Sequence, residues 1–227
     1  MGNTPKLIYF PIQGKGEVIK LALAAAGVEF EHEDVNKEEM KADLDHYKFG
    51  QVPRYVDDEV DLCQMHAILR HIGRKYGLVG KTEAQHAAVE EVIEGSTDLT
   101  SGVGRGYMAA TTKEEYDAFK EKFWKEHLEP GTETAPESRG AHAAYLSRIL
   151  AANKSGYFVG DGLTIADLAV ASTIDAVVMR MYKERLREAW PDLVEHHDRV
   201  WGQEKIAAYL QGPQRPPPMP LKYVDDE

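Results

Sequence analysis

The spacing of hydrophobic and polar positions changes near residue 80 and divides the chain into two predicted parts. In the first part, the apolar run at residues 7–10 predicts a buried strand. A helix follows, with Glu17, Lys20 and Ala24 on its predicted outer face, and Gly27 is a typical helix stop. The chain thus opens with a strand followed by a helix.

The remaining pattern of the first part completes a small sheet covered by helices. Alternation from Val28 predicts a second strand, and two short strands are predicted around a tight turn at Asp57 and Asp58. A regular helix comes next, closed by Gly77, with one apolar stripe of Met65, Ile68, Leu69, Ile72 and Tyr76. This order of elements predicts a mixed sheet in an α/β sandwich.

Beyond residue 80 the pattern is helical. One long helix carries Gly95 and Gly102, which weaken it, and further helices are predicted at residues 116–123, 146–150, from 165 onward and at 206–210. Residues 129–140 form a predicted loop because they are rich in proline, glycine and hydroxyl side chains. We therefore predict three segments: an α/β domain at 1–80, an all-helical domain at 81–212 and a proline-rich tail at 213–227.

The tail has four prolines between Arg215 and Pro220, which excludes a regular helix or strand. Two interpretations stay open for it. It is either an ordered or frayed terminus, or a polyproline ligand for a partner domain.

Composition narrows the functional classes. The 227 residues carry a formal net charge of −11, which argues against nucleic acid or an anionic membrane as a main partner. No apolar run approaches the roughly 20 residues that span a bilayer, and no signal-peptide pattern is present. The single cysteine, Cys63, forms no internal disulfide and fits a reducing compartment. We therefore expect a cytoplasmic protein that attracts anionic ligands only locally.

Two motifs in the first part suggest a ligand site. In "GQVP", Pro53 opens a strand, which leaves neighbouring backbone groups able to pair with a bound peptide. In "CQMHAILRH", a helix begins without a serine, threonine or aspartate cap, and bare amides at a helix start attract a carboxylate. The alternative is that Gln64 caps this helix itself and Met65 is its first core contact.

The motifs "YFPIQGKGE", "FGQVP", "QMHAILR", "FVGDGLTIADLAVA" and "WPDLVEHHDRVWGQEKIAAYL" together resemble the cytosolic glutathione transferases of the tyrosine type, closest to the pi and sigma classes. The similarity runs over nearly the whole chain. It implies an α+β protein in which a thioredoxin-like α/β domain, with a cis-proline in "FGQVP", precedes an all-α helical-bundle domain.

The resemblance implies that Tyr9 is the catalytic hydroxyl, whereas spacing alone would make it an ordinary core tyrosine. A phenol with a pKa of about 10 stays protonated and donates a hydrogen bond to a thiolate. Lowering a thiol pKa by about 2 units needs about 2.7 kcal/mol, which such a bond and a nearby cation nearly supply. Lys15 is that cation, and its flanking glycines are expected to let a loop approach the ligand and move.

The resemblance also implies the rest of a glutathione site. The predicted glutathione-binding residues are Tyr9, Lys15, Gln51, Val52, Pro53, Gln64, Met65 and Asp98. Met65 replaces the family's serine, so a hydroxyl bond of about 1 kcal/mol is missing. Asp98 stands where the family places an acid that reaches across a dimer; otherwise it is a solvated helix aspartate.

Residues 36–50 differ from the family pattern as well. Met40 or a glutamate replaces the usual tryptophan, and either Lys41 or Lys48 is left to bind the glycyl carboxylate. Phe49 stands where several classes insert an aromatic key into a partner subunit, which favours a homodimer, although a plain core phenylalanine is the alternative.

Other polar residues are expected to be structural. Residues Thr164 to Asp167 fit a reciprocal helix cap. His196 and His197 are adjacent, so they point to different faces, and we expect solvated side chains and no metal site. Cys63 is expected to be a buried inert thiol, with a mixed disulfide as the alternative.

The leading hypothesis is conjugation of the glutathione thiolate to small hydrophobic electrophiles, with glutathione as co-substrate and no metal. Phe10, Ile12 and Tyr107 are the predicted lining of the electrophile half. One alternative is a glutathione-dependent isomerase similar to a prostaglandin synthase. The other is a non-catalytic binding or structural protein on the same fold. The differences from the family pattern at Met65 and in the lysine segment at residues 36–50 favour this alternative.

Overall fold

A computed structural model describes residues 3–131, 142–218 and 223, except for the side chains of residues 102, 104–108 and 177. The chain forms two compact units. The first comprises the described residues of Met1–Val79 and Trp201–Met219, and the second those of Gly80–Val200 and Pro220–Glu227.

A four-stranded mixed sheet is the centre of the first unit. Its strands are β1 (Lys6–Tyr9), β2 (Glu31–Asp34), β3 (Arg54–Val56) and β4 (Asp61–Cys63), in the order β2-β1-β3-β4. β1 pairs parallel with β2 and antiparallel with β3, and β4 pairs antiparallel with β3. The predicted mixed sheet and the turn at Asp57 and Asp58 are therefore confirmed.

Burial explains which strand is central. Leu7 and Ile8 of β1 are almost fully buried, as expected for an apolar strand enclosed on both faces. β2 reads Glu-His-Glu-Asp and lies at the sheet edge, where one side faces water. It begins at Glu31, three residues after the predicted start at Val28.

Three helices belong to the early part of this unit: α1 (Gly14–Ala26), α2 (Lys37–Ala42) and α3 (Met65–Lys75). α1 and α3 pack together, and their inner positions Ile19, Leu23, Ile68 and Ile72 are fully buried. Gly27 ends α1 in the left-handed conformation at φ 71°, as the sequence predicted.

The second unit is helical throughout its described elements. It contains α4 (Glu83–Ala109), α5 (Lys113–Phe123), α6 (His142–Asn153), α7 (Ile165–Thr173), α8 (Arg180–Ala189) and α9 (Pro191–Trp201). Single π-helical turns follow α5 at Trp124–Leu128 and α7 at Ile174–Met179. α4 is continuous through Gly95, which agrees with the predicted long helix. Most of the predicted loop at 129–140 lies outside the described residues.

The last helix, α10 (Glu204–Gln211), returns to the first unit, whereas the sequence prediction assigned residues 81–212 to one helical domain. It packs on α1. The sequence predicted that Glu17 and Lys20 lie on an exposed face of α1, and this prediction is wrong. The two residues are 4% and 1% exposed because later residues cover them.

The predicted helix cap at the start of α7 is confirmed, and its surroundings correct a second expectation. The Thr164 N–H donates to the Asp167 carboxylate at 2.8 Å, and the Phe158 N–H donates to its other oxygen at 2.8 Å. His196 lies 3.0 Å from the same carboxylate. His196 and His197 are therefore buried, not solvated as expected, because α9 packs within the helical unit.

None of the helices in the described part of the chain combines the length and the apolar character that crossing a bilayer requires. Those same residues also contain no cluster of three or more histidine, cysteine or acidic side chains arranged to hold a metal ion.

Candidate functional site

Tyr9 is the last residue of β1, and its hydroxyl oxygen is fixed by the backbone that follows. The Lys15 N–H donates to this oxygen at 2.9 Å. Among the described residues, no acceptor receives the phenolic proton. The Lys15 amide thus engages the oxygen as an acceptor, and the O–H is available to an external acceptor.

Two glycines make room for the phenol. A Cβ on Gly14 would lie 2.7 Å from the Tyr9 oxygen, and a Cβ on Gly16 would lie 2.6 Å from Tyr9 Cδ1. Both distances are too short for any side chain. The expected loose loop at these positions is therefore corrected: Gly14 to Gly16 form the first turn of α1, and the glycines let that turn contact the ring.

Burial raises the pKa of the Tyr9 phenol, and the nearby backbone N–H groups, above all that of Lys15, oppose part of that rise. The phenol therefore stays protonated at neutral pH, which a hydrogen-bond donor requires. The Lys15 side chain is exposed, and no hydrogen bond from its ammonium group is seen within the described residues. Its charge is available to an anionic ligand.

The strand register brings three predicted site segments side by side. Ile8 lies opposite Arg54, which places Tyr9 beside Pro53; Arg54 in turn lies opposite Cys63, which places Pro53 beside Gln64. One end of the sheet thus presents a phenol, a proline-led strand start and a helix start in a row.

The strand start carries a cis peptide bond between Val52 and Pro53, as the family resemblance implied. Pro53 is buried and Val52 packs half-buried on the cluster of Ile8, Met40 and Tyr47. Val52 precedes β3, so its backbone lies outside the strand ladder. This arrangement suits pairing with an extended peptide.

The start of α3 is a second potential ligand-binding feature. Gln64 occupies the cap position with φ 77° and forms no side-chain capping bond, so the alternative that it caps the helix is wrong. The first turn also contains no acidic residue, and Met65 is half-buried. The positive end of the helix dipole is therefore not neutralised locally.

The segment around Phe49 is mostly polar and exposed. Lys41 is exposed, and the Lys48 ammonium donates to the Asp61 carbonyl at 3.4 Å. Met40, which stands where the family commonly has tryptophan, is buried. The side chain of Phe49 is 62% exposed, so the core alternative for Phe49 is wrong in the single chain.

Cys63 is a buried thiol that donates to the His46 carbonyl at 3.5 Å. Burial raises the pKa of this thiol. Both observations support an inert side chain over a mixed disulfide, since the reactive species is the thiolate.

The predicted electrophile residues fall in both units. Phe10 meets the Tyr9 ring edge-on at a centroid distance of 5.6 Å, and the Ile12 N–H donates to the Phe10 carbonyl at 2.8 Å. Tyr107 and Asp98 lie on α4 in the second unit. Asp98 is exposed, and the Tyr107 side chain lies outside the described residues.

Sequence reasoning missed the residues that surround α1. Glu17 accepts hydrogen bonds from Tyr209 and Arg215, which lie 192 and 198 residues later in the chain. Lys37 lies 5.6 Å above the Phe10 ring. No local pattern signals such pairs, because periodicity reports only neighbours along one element.

The first unit combines a small mixed sheet with a cis-proline beside a strand-end phenol, and a helical unit follows it. These features define a thioredoxin-like domain joined to an all-helical one. Comparison with known proteins gives the family. The sequence model described as "Glutathione S-transferase, N-terminal domain" matches residues 5–74, and that described as "Glutathione S-transferase, C-terminal domain" matches residues 97–213.

Individual relatives agree with these matches. A glutathione S-transferase of Dirofilaria immitis is 31% identical over 90% of each chain. "Probable glutathione S-transferase 7" of Caenorhabditis elegans is 32% identical over 91% of this chain and 95% of its own length. The solved pi-class glutathione S-transferase of Onchocerca volvulus superposes with a TM-score of 0.76 at 26% identity, covering 92% of this chain and 93% of that one. The chain therefore belongs to the glutathione S-transferase family.

Proposed function

We propose that the protein is a glutathione transferase that joins the thiol of glutathione to hydrophobic electrophiles. The observation that carries this proposal is the Tyr9 oxygen, which accepts the backbone N–H of Lys15. With its oxygen engaged as an acceptor, the phenol presents its proton to the sulfur. Relatives named glutathione S-transferases in nematodes support the reaction class.

In the proposed mechanism, Tyr9 favours the thiolate over the thiol. A free thiol has a pKa of about 8.5 and is a few per cent ionised at neutral pH. The hydrogen bond from the phenol stabilises the sulfur anion, and the exposed Lys15 ammonium adds a favourable charge. The sulfur lone pair then forms a bond to the electrophilic carbon, and the leaving group departs with its electron pair.

The three aligned segments supply the proposed glutathione site. The Val52 backbone beside cis-Pro53 pairs with the cysteinyl unit, and the start of α3 at Met65 receives the γ-glutamyl carboxylate. Polar contacts come from Gln51 and Gln64, both exposed. We propose Lys41 or Lys48 for the glycyl carboxylate, Asp98 of a partner subunit for the γ-glutamyl ammonium, and Phe10, Ile12 and Tyr107 for the electrophile half.

The proposed setting is a cytoplasmic homodimer that uses glutathione as co-substrate without a metal, and that binds neither nucleic acid nor membrane. The net charge of −11 and the lone cysteine support this setting. The largely exposed side chain of Phe49 supports the dimer.

Turnover of an aryl halide with glutathione tests the proposal, using Tyr9→Phe as the main variant. We expect kcat/KM to fall about tenfold to hundredfold, since up to about 2 units of thiol pKa depend on the phenol. Tyr182→Phe is the matched control, because Tyr182 is also buried and donates to the Lys120 carbonyl at 2.8 Å, in the helical unit. Tyr182→Phe should leave the pKa of the bound glutathione thiol unchanged.

Wild-type activity that survives Tyr9→Phe unchanged would contradict the assigned role of the phenol. Absence of heat with millimolar glutathione in calorimetry would instead indicate a non-catalytic protein on this fold. Isomerised product without conjugate, found by product analysis with a lipid endoperoxide, would indicate the isomerase alternative.

A further inference from the structure

The segment that follows α10 is anchored to the first turn of α1 by two residues. The Gln13 side-chain amide donates to the Pro216 carbonyl at 3.1 Å. The Arg215 guanidinium donates through Nε to Glu17 Oε1 at 2.9 Å. Tyr209 of α10 donates its hydroxyl to Glu17 Oε2, also at 2.9 Å.

These contacts are largely shielded from water. The side chain of Glu17 is 6% exposed and that of Arg215 is 21% exposed, while Gln13 as a residue is 7% exposed. Lys20, buried on the next turn, adds a second positive charge near Glu17. A buried carboxylate that loses its cation is strongly destabilised, so the Arg215 contact constrains where Glu17 can lie.

The anchored turn is the one that holds the catalytic phenol. Gln13 and Glu17 are joined by a backbone hydrogen bond of 3.0 Å and bracket Lys15, whose amide donates to Tyr9. A Cβ on Gly16 would lie 2.6 Å from Tyr9 Cδ1, so Gly16, which Glu17 follows immediately, packs closely against the ring. A displacement of Glu17 therefore moves the backbone that orients the phenol.

We propose that Arg215 is a positioning residue for the thiolate-stabilising phenol, and that residues 212–216 clamp the first turn of α1 at both ends. This inference rests on the proposed function. In this proposal the clamp acts on the phenol indirectly, through Glu17 and Gln13. Arg215 needs no direct contact with Tyr9.

The test compares the pH dependence of kcat/KM for the wild type, Arg215→Gln and Arg215→Lys. For Arg215→Gln we expect the apparent thiol pKa to rise by about 1 unit and kcat/KM near neutral pH to fall about tenfold. The KM for glutathione should change less than about twofold, because the peptide contacts are intact. Arg215→Lys keeps the charge beside Glu17 and should recover to within about threefold of the wild type.

Arg74→Gln is the charge-matched control, because Arg74 is exposed near the end of α3. Its pH profile should match that of the wild type. An unchanged profile for Arg215→Gln in an active protein overturns the positioning role and leaves the proposed function intact. A wild type without conjugating activity overturns both.

A milder variant covers the case in which Arg215→Gln fails to fold. Gln13→Ala removes the neutral tether to Pro216 and leaves the Glu17 and Arg215 charges paired. We expect a shift of the pH profile in the same direction, with kcat/KM about threefold lower. A Gln13→Ala profile identical to that of the wild type overturns the clamp.

Discussion

At the residue scale, the proposed chemistry depends on what surrounds one oxygen atom, that of the Tyr9 phenol. A buried tyrosine usually satisfies its own proton by donating to a backbone carbonyl, as Tyr182 does with Lys120. Tyr9 instead accepts the backbone N–H of Lys15. The same side chain is structural at one position and suited to catalysis at the other, because the direction of its hydrogen bonds differs.

Gly16→Ala is expected to displace the Tyr9 ring, since the new Cβ would lie 2.6 Å from Cδ1 and 3.0 Å from Cγ. We expect kcat/KM with glutathione to fall about tenfold to hundredfold, the scale of a displacement near 1 Å in a reacting group. Steady-state kinetics at several pH values measures the effect.

Gly95→Ala is the matched control for this substitution. Gly95 lies inside α4 with open space around a built Cβ, so alanine should stabilise the protein by about 0.5–1 kcal/mol without changing the kinetics. Normal activity in Gly16→Ala would contradict the close packing of this turn against the phenol.

At the element scale, the β3–β4 hairpin is organised around one buried carboxylate. Asp57 has a fully buried side chain that accepts the Glu59 and Val60 N–H groups at 2.9 Å each. His71 and Lys75 of α3 reach the same carboxylate at 2.9 and 3.1 Å. The turn is thereby joined to the helix whose start faces the proposed ligand.

Burial by itself raises the Asp57 pKa, but the hydrogen bonds from His71, the backbone and Lys75 outweigh it and hold the pKa well below its usual range. Asp57→Asn should therefore lower the free energy of unfolding by about 2 kcal/mol at pH 7. Urea unfolding measures this value.

The sign of the pH dependence follows from the depressed pKa. The contribution of Asp57 is fully present above the unfolded pKa of about 4 and is lost progressively as the pH falls from there through the lower pKa of the folded state. The difference in the free energy of unfolding between the wild type and Asp57→Asn should therefore be smaller at pH 3 than at pH 7. Asp58→Asn is the control: Asp58 pairs with the same Lys75 but is 50% exposed, so solvent screening should make its loss of stability much smaller than that of Asp57→Asn.

At the scale of the whole molecule, the exposed apolar side chains suggest a second copy as partner. Leu44 and Phe49 are 59% and 62% exposed, and large apolar side chains exposed together on one segment are a feature of interaction surfaces. Both belong to the segment between α2 and β3. In the proposed homodimer these two side chains would be buried, and Asp98 of one subunit would serve the glutathione site of the other.

Phe49→Ser is expected to weaken such a dimer, because it removes the proposed aromatic anchor. Sedimentation of the wild type should give about 51 kDa, twice the chain mass of 25.4 kDa, and the variant should shift toward 25.4 kDa. Tyr223→Ser is the control, because Tyr223 is also exposed, at 41%, but belongs to the other unit. A wild type that sediments as a monomer would contradict the proposal.

Particular residues show where sequence-based prediction succeeded and failed. The stripe of Ile68 and Ile72 and the stop at Gly27 depend on local periodicity and local backbone conformation, and both were predicted correctly. Glu17 and His196 were placed on exposed faces, yet both are buried against partners far along the chain. Polar residues on a helix indicate a solvated face only if no later segment covers them.

The sequence by itself determined the order of strands and helices, the family and the identity of the candidate residues, because these depend on spacing and motifs within short segments. Only the tertiary structure decided that the Lys15 amide donates to the Tyr9 oxygen, that Tyr9, Pro53 and Gln64 lie in adjacent strand positions, and that Arg215 reaches Glu17. These relations join residues on different elements. They arise from strand register and helix packing, which local patterns do not encode.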